Sequence, residues 1–312
     1  MKKTILVTGS NGLLGQKIVY KLLQRTEVNL VAASKGENRL IEKNGYTYIN
    51  LDISKLEDVR IAIKKFKPHV IINTAAITNV DACEVQREEC WAANVTTVEN
   101  FVKVLSPLSL GEGLGGEAPH FIHLSTDFVF DGEAGPYKEE DQPNPLSYYA
   151  LSKYESEKVL QKSNISWAIL RTIIVYGIVD NMSRSNVVLW AKGALEKGQT
   201  INVVDDQFRS PTLAEDLADA CISAADKKAK GIFHVSGKDI MSILELVYRV
   251  ADFWKLDKSI VRPIKSDTLN QAAKRPPRTG FILDKAYREL DYKPHSFEEG
   301  LQILDTQLKE KG

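Results

Sequence analysis

Lys3-Thr4-Ile5-Leu6-Val7-Thr8 runs directly into Gly9-Ser10-Asn11-Gly12-Leu13-Leu14-Gly15, and this stretch decides the fold. The β-branched, apolar run reads as a buried strand. Gln16 to Leu23 then repeats apolar residues at helical spacing. Strand, glycine turn and helix in that order form a setting for a dinucleotide, whose pyrophosphate rests on the helix N-terminus. The glycines permit the tight turn and a close approach of backbone. The spacing is G-x-x-G-x-x-G rather than G-x-G-x-x-G. Without its setting, such a turn also occurs where nothing binds.

Val28 to Ala33 reads as a second strand and closes a βαβ unit. A third ends at Leu51-Asp52-Ile53, and a fourth, Val70 to Asn73, leads into Thr74-Ala75-Ala76. Phe121 to Ser125 is a fifth and Trp167 to Leu170 a sixth. Strands alternating with helical stretches imply an α/β fold. Specifically, they imply a Rossmann-type doubly wound parallel sheet with its ligand at the carboxyl ends of the strands. Beyond the second strand, an acidic residue commonly accepts from the ribose 2′-hydroxyl. Here the segment is Ser34-Lys35-Gly36-Glu37-Asn38-Arg39. Lys35 and Arg39 suit a 2′-phosphate, so NADPH is expected over NADH, with Glu37 as the residue that argues the other way.

Tyr149 and Lys153 stand one helical turn apart in Tyr149-Ala150-Leu151-Ser152-Lys153, so phenol and ammonium share a face. A neighbouring cation is expected to lower the phenol pKa and fit it for proton transfer near neutrality. Ser125-Thr126-Asp127 lies just past the fifth strand, where a hydroxyl is placed to bond the same substrate oxygen. As bare patterns, both motifs also describe a solvated helix face and a turn.

Taken in order, these motifs resemble the extended short-chain dehydrogenase/reductases, and among them the dTDP-4-dehydrorhamnose reductases. The resemblance runs through Gly9 to Gly15, Asn73 to Ala76, Thr78 to Glu84 and Ala93-Asn94-Val95. It continues through Ser125 to Gly132, Tyr149 to Lys153, Leu170-Arg171-Thr172, Val175-Tyr176-Gly177, Asp206 to Thr212 and Asp216-Leu217-Ala218. It implies an NAD(P)H-dependent reductase of a nucleotide-activated 4-keto-sugar, with a nucleotide-sugar as partner. Tyr149 would give a proton to the carbonyl oxygen, Lys153 would bind the nicotinamide ribose and Thr126 would orient the carbonyl. Cofactor contacts are expected at Gly9, Asn11, Gly12, Leu13, Gly15, Ser34, Lys35, Arg39, Asp52 and Ile53. Others are expected at Ala75, Ala76, Thr78, Asn94, Tyr149 and Lys153. Asp127, Phe128 and Ile174 would face the sugar. Arg209 and Arg275 would hold its diphosphate, as guanidinium pairs with phosphate in a planar fork.

The chain departs from the family pattern in three places. Ile174 stands where the family carries a substrate-packing Trp, Ala150 replaces a Gly beside Tyr149, and Arg275-Pro276-Pro277-Arg278 alters a C-terminal pattern. Two other readings remain open. One is a sugar-nucleotide epimerase of the same superfamily. The other is a non-catalytic, NADP-binding regulatory subunit resembling the beta subunit of methionine adenosyltransferase.

The 312 residues suffice for a full core, with a cofactor domain over 1–177 and 212–236. A substrate domain is expected over 178–211 and 237–312. With 41 basic and 41 acidic residues, there is no electrostatic case for nucleic acid or an anionic membrane. No apolar run reaches membrane-spanning length and the first strand begins at once, so a cytoplasmic protein is expected. A homodimer is compatible with all of this. Cys83, Cys90 and Cys221 lack metal-type spacing and read as packing residues, and no metal is expected. His123 and His234 fall inside strands and read as packed side chains. The glycine-rich stretch Ser106 to Pro119 reads as a surface insert.

Overall fold

A computed structural model describes residues 2–106, 118–181 and 185–311; most of the glycine-rich insert lies outside these residues. Its main sheet is built from β1 (Lys3–Thr8), β2 (Val28–Ser34), β3 (Thr47–Asn50), β4 (Val70–Asn73), β5 (His120–Thr126), β6 (Trp167–Thr172) and β7 (Gly231–His234). All neighbours are parallel, in the order 7-6-5-4-1-2-3. Strand order reverses at β1, so the crevice between its two halves opens at the carboxyl ends of the strands. The register aligns those ends: Thr8 pairs with Ala33 and Asn73, Asn73 with His123, and Thr126 with Thr172.

The sheet is covered on both faces, which is why its strands read as continuous apolar runs. Ile5, Leu6 and Val7 are all fully buried, with Ile5 and Val7 in one core and Leu6 in the other. Around it lie α1 (Leu13–Leu23), α2 (Leu56–Phe66), α3 (Val80–Val85), α4 (Arg87–Trp91), α5 (Thr97–Leu105) and α6 (Tyr148–Gln161). The later helices are α7 (Val187–Glu196), α8 (Ala214–Asp226), α9 (Ile243–Trp254), α10 (Asp284–Leu290) and α11 (Phe297–Lys311). A second core joins Tyr176, Val188, Leu195, Leu246, Val250 and Leu301, drawn from α7, α9, α11 and the segment after β6. Ile201–Val204 and Val261–Ile264 form a two-stranded parallel ribbon beside it.

Residues 281–292 depart from the sequence-based division. Phe281, Leu283, Ala286, Leu290 and Tyr292 join the core of the main sheet, because α10 presents its apolar side to α8 and β7. Among the described residues, no helix is long and apolar enough to cross a membrane, and no cluster of side chains is arranged to hold a metal ion.

Candidate active site

Steric limits at the glycines shape the turn after β1. Gly9 has φ +73°, and a Cβ there would lie 2.6 Å from the Ala75 nitrogen. A Cβ on Gly15 would lie 2.3 Å from the Gly9 carbonyl oxygen. Gly12 caps α1 in extended conformation without a side-chain hydrogen bond, so the first-turn amides of the helix face outward. Beside the turn opens a cavity of about 760 Å³. Gly9, Gly12, Ser34, Lys35, Asp52, Ile53, Ala75 and Ala76 line it. Its size, small-residue floor and helix N-terminus fit a dinucleotide.

Asn11, Leu13, Gly15, Arg39, Thr78, Asn94, Tyr149 and Lys153 do not line this cavity. Asn11 works instead as a staple. Its amide donates to the Glu37 carbonyl at 2.7 Å, and its oxygen accepts from the Arg39 nitrogen at 2.9 Å. Tyr48 donates to the Gly36 carbonyl at 2.8 Å, so the loop after β2 is held from two sides. Lys35 pairs with Asp52 at 3.1 Å. The Ser54 hydroxyl, more than this lysine, lowers the Asp52 pKa. A pair this exposed is weak and leaves the ammonium exchangeable. Thr78 is exposed, and Glu89, Ala92, Ala93 and Thr97 complete the cavity wall without any sequence signal.

Ser147 starts α6 by accepting from the Ala150 nitrogen, which sets Tyr149 in its first turn. The Tyr149 phenol lies near the Thr126 hydroxyl at the end of β5, close enough for that hydroxyl to act on its pKa. Lys153 lies one turn along, only 3% exposed, with Nζ 3.3 Å from His123 Nε2. Burial raises the Tyr149 pKa well above its ordinary value, and the Thr126 contact opposes that only in part. The expected lowering by Lys153 is therefore corrected: burial dominates, and the amine is in contact with an imidazole. Burial also brings Lys153 down to about 8.

Asn94 lies in a π-helical turn, Ala92–Thr96, a distortion common where a helix must aim a side chain. Its amide donates to Ser152 Oγ at 2.9 Å and to the Ile77 carbonyl at 3.1 Å, and its oxygen accepts from the Ile77 nitrogen at 2.9 Å. Ser152 in turn donates to the Tyr149 carbonyl at 2.7 Å. The carboxamide thus ties α6 to the loop after β4. Ser152 carries no expectation from sequence, and His123 reads there only as a packed side chain. The signal for each was position alone, Ser152 inside the Tyr-x-x-x-Lys span and His123 three residues before Thr126.

The RmlD substrate-binding-domain family model matches residues 1–309. The chain belongs to this family. The family has the extended short-chain dehydrogenase fold and includes NAD(P)-dependent sugar-nucleotide reductases as well as non-catalytic members. The fold is similar to a dTDP-4-dehydrorhamnose reductase of Clostridium acetobutylicum at TM-score 0.83 and 28% identity, covering 98% of this chain and 99% of that one. It is also similar to the Bacillus anthracis dTDP-4-dehydrorhamnose reductase solved with NADP. There the TM-score is 0.83 at 26% identity, covering 98% and 100%. In sequence, subunit beta of methionine adenosyltransferase 2 from Xenopus tropicalis is 32% identical over 276 residues, covering 87% of this chain and 78% of that subunit.

The residues expected to face a sugar nucleotide make contacts within the protein. Asp127 is 2% exposed. It accepts from Thr126 at 3.0 Å and from Thr279 at 2.5 Å, and its carboxylate faces the Arg209 Nε at 4.0 Å. Burial raises its pKa. Arg209 donates to the carbonyls of Phe208 and Pro276, both at 2.7 Å. Arg275 makes a two-point ion pair with Asp81, at 2.6 and 3.2 Å. In this structure both guanidiniums are engaged by protein, because Asp81 and the 276–277 carbonyls lie within their reach. Phe128 packs edge-on to Tyr149 with ring centroids 6.2 Å apart, and the Arg209 guanidinium lies over the Phe128 ring, 5.3 Å from its centroid. Ile174 has φ +22°, a strained value for a β-branched residue, and its carbonyl accepts from the Thr212 nitrogen.

Proposed function

We propose that this RmlD-like chain is an NADPH-dependent reductase of a nucleotide-activated 4-keto-sugar. The observation that carries this reading is the placement of Tyr149 near Thr126, with Lys153 one turn along, at the strand ends that also hold the glycine turn. The glycine cradle and its cavity suit the dinucleotide, and the nicotinamide, when bound, supplies a hydride to the ketone carbon.

The protein's own side chains do the rest. The Tyr149 phenol keeps its proton at neutral pH in its buried setting and gives it to the carbonyl oxygen as that oxygen gains charge. The Thr126 hydroxyl fixes the phenol and offers the same oxygen a second contact, while Asp127 holds Thr126 in place. The Lys153 amine faces the nicotinamide ribose and stabilises the phenolate left behind. Orientation of the two reactants over one cleft supplies much of the rate. Lys35, released from Asp52, selects the 2′-phosphate from the cavity wall, with Arg39 in the loop beyond it. Segments 178–211 and 237–280, with α11, form the unit that carries the sugar nucleotide, and strained Ile174 borders it.

The test is a panel of nucleotide 4-keto-sugars with NADPH or NADH, following loss of nicotinamide absorbance. Turnover of at least one sugar, faster with NADPH, supports the reading; none across the panel removes it. Lys35→Ala should shift preference toward NADH. A second reading, a cofactor-binding subunit of another enzyme, draws support from the 32% identity to subunit beta of methionine adenosyltransferase 2. It expects tight NADPH binding with no turnover on any sugar.

A further inference from the structure

A chain of buried polar side chains lies beneath Lys153. Its Nζ is 3.3 Å from His123 Nε2, which is also 2.9 Å from Ser156 Oγ. Ser156 spends its single proton on the Lys153 carbonyl at 2.6 Å. On the far side of the ring, His123 Nδ1 is 3.3 Å from the Asn73 carboxamide, and Thr8 Oγ1 meets that carboxamide at 2.7 Å. Thr8, Asn73, His123, Lys153 and Ser156 are each at most 3% exposed.

We propose that His123 is a positioning residue for Lys153: its neutral imidazole accepts a hydrogen bond from the ammonium at Nε2, and its tautomer follows the charge on the amine. The proposal rests on reading Lys153 as a catalytic member, but its central test needs neither substrate nor cofactor.

Hydrogen-bond balance carries the argument. An ammonium has donors only, so a charged Lys153 requires a lone pair on Nε2 and hence a proton on Nδ1. Asn73 then turns its oxygen toward Nδ1, and Thr8, both donor and acceptor, satisfies the turned amide. Ser156 turns its proton from the Lys153 carbonyl toward Nε2, sharing that lone pair with the ammonium. A neutral amine removes that requirement. Nε2–H then donates to Ser156, whose lone pairs are free, while the Asn73 amide donates to Nδ1. The imidazole stays neutral throughout, because burial and the adjacent Lys153 charge hold its pKa well below the ordinary value. The other ionisable groups acting on the amine are Glu157 on the same helix and Cys90 of α4, and both favour its charged form. Neither contacts the ring, so the acceptor that fixes the position of the ammonium is His123.

The experiment is nitrogen NMR of the full chain labelled at histidine and lysine side chains, titrated from pH 6 to about 10. The expected result is an Nδ1–H imidazole at low pH that becomes Nε2–H as Lys153 loses its proton near pH 8. In His123→Phe, the Lys153 midpoint should fall by about one pH unit, while His123→Gln, which keeps an acceptor, holds it. NADPH affinity at pH 7, read by fluorescence, should weaken by about tenfold in His123→Phe and much less in His123→Gln. An imidazole that is Nε2–H across the whole range overturns the proposal even if His123→Phe does not fold. So does a folded His123→Phe with an unmoved Lys153 midpoint. Loss of sugar turnover with the tautomer change intact would count against the reductase reading alone.

Discussion

The Thr279 hydroxyl donates to Asp127 Oδ2 at 2.5 Å, binding a residue 152 positions later in the chain to the strand end that carries Thr126. Thr126 occupies the other carboxylate oxygen, and Arg209 faces the same group from the segment that also holds Pro276. One buried carboxylate thus joins the Thr126 hydroxyl to the segments that carry Arg209 and Thr279.

Replacing it should therefore cost both stability and turnover. Asp127→Asn keeps the shape but leaves one hydroxyl without an acceptor and Arg209 without a counter-charge. The expected loss is about 3 kcal/mol, read as a lower urea midpoint with unchanged slope. An unchanged midpoint would mean that the carboxylate is not holding these segments together.

Lys153 carries a stability penalty whose sign can be worked out. Its pKa falls from 10.5 unfolded to about 8 in the fold. A depressed value means stability is present above pH 10.5, lost as pH drops toward 8, and fully lost below it. That amounts to about 3 kcal/mol at pH 7. Lys153→Met should accordingly be more stable than the natural chain at pH 7, by up to that amount, and the gap should close toward pH 10.5. A gap independent of pH would place the lysine in a wetter setting than the structure gives.

The glycine turn can be tested by a single carbon. A Cβ on residue 15 would lie 2.3 Å from the Gly9 carbonyl oxygen, backbone that cannot swing aside. Gly15→Ala should push the turn away from α1 and weaken NADPH by at least about tenfold, measured by fluorescence titration. Retained affinity would mean that the cofactor does not rest on this turn.

Much of the fold is readable from residues, for a physical reason. The strands are buried on both faces, so β1, β2, β4 and β5 show as apolar runs between turn signals. Their ends are less readable, because register with a neighbour sets them. β3 stops at Asn50, where Ser34 is its last partner, two residues short of Asp52. In α6, apolar periodicity carries no information, since the buried face is polar: Tyr149, Ser152, Lys153, Ser156 and Glu157. Only the Tyr-x-x-x-Lys spacing marks that helix. Arginine partners are hidden in the same way. Nothing local separates a guanidinium awaiting phosphate from Arg209 on two carbonyls, or from Arg171, which is fully buried against Glu157 at 2.7 and 2.9 Å.

The most direct test of the catalytic assignment is Tyr149→Phe, measured for both NADPH affinity and reduction of the sugar that the natural chain turns over fastest. Loss of the phenol oxygen alone should lower kcat by about a thousandfold or more while NADPH affinity stays within about threefold. Turnover at the natural rate in that variant would contradict the role given to Tyr149 and, with it, the chemistry assigned to this cleft.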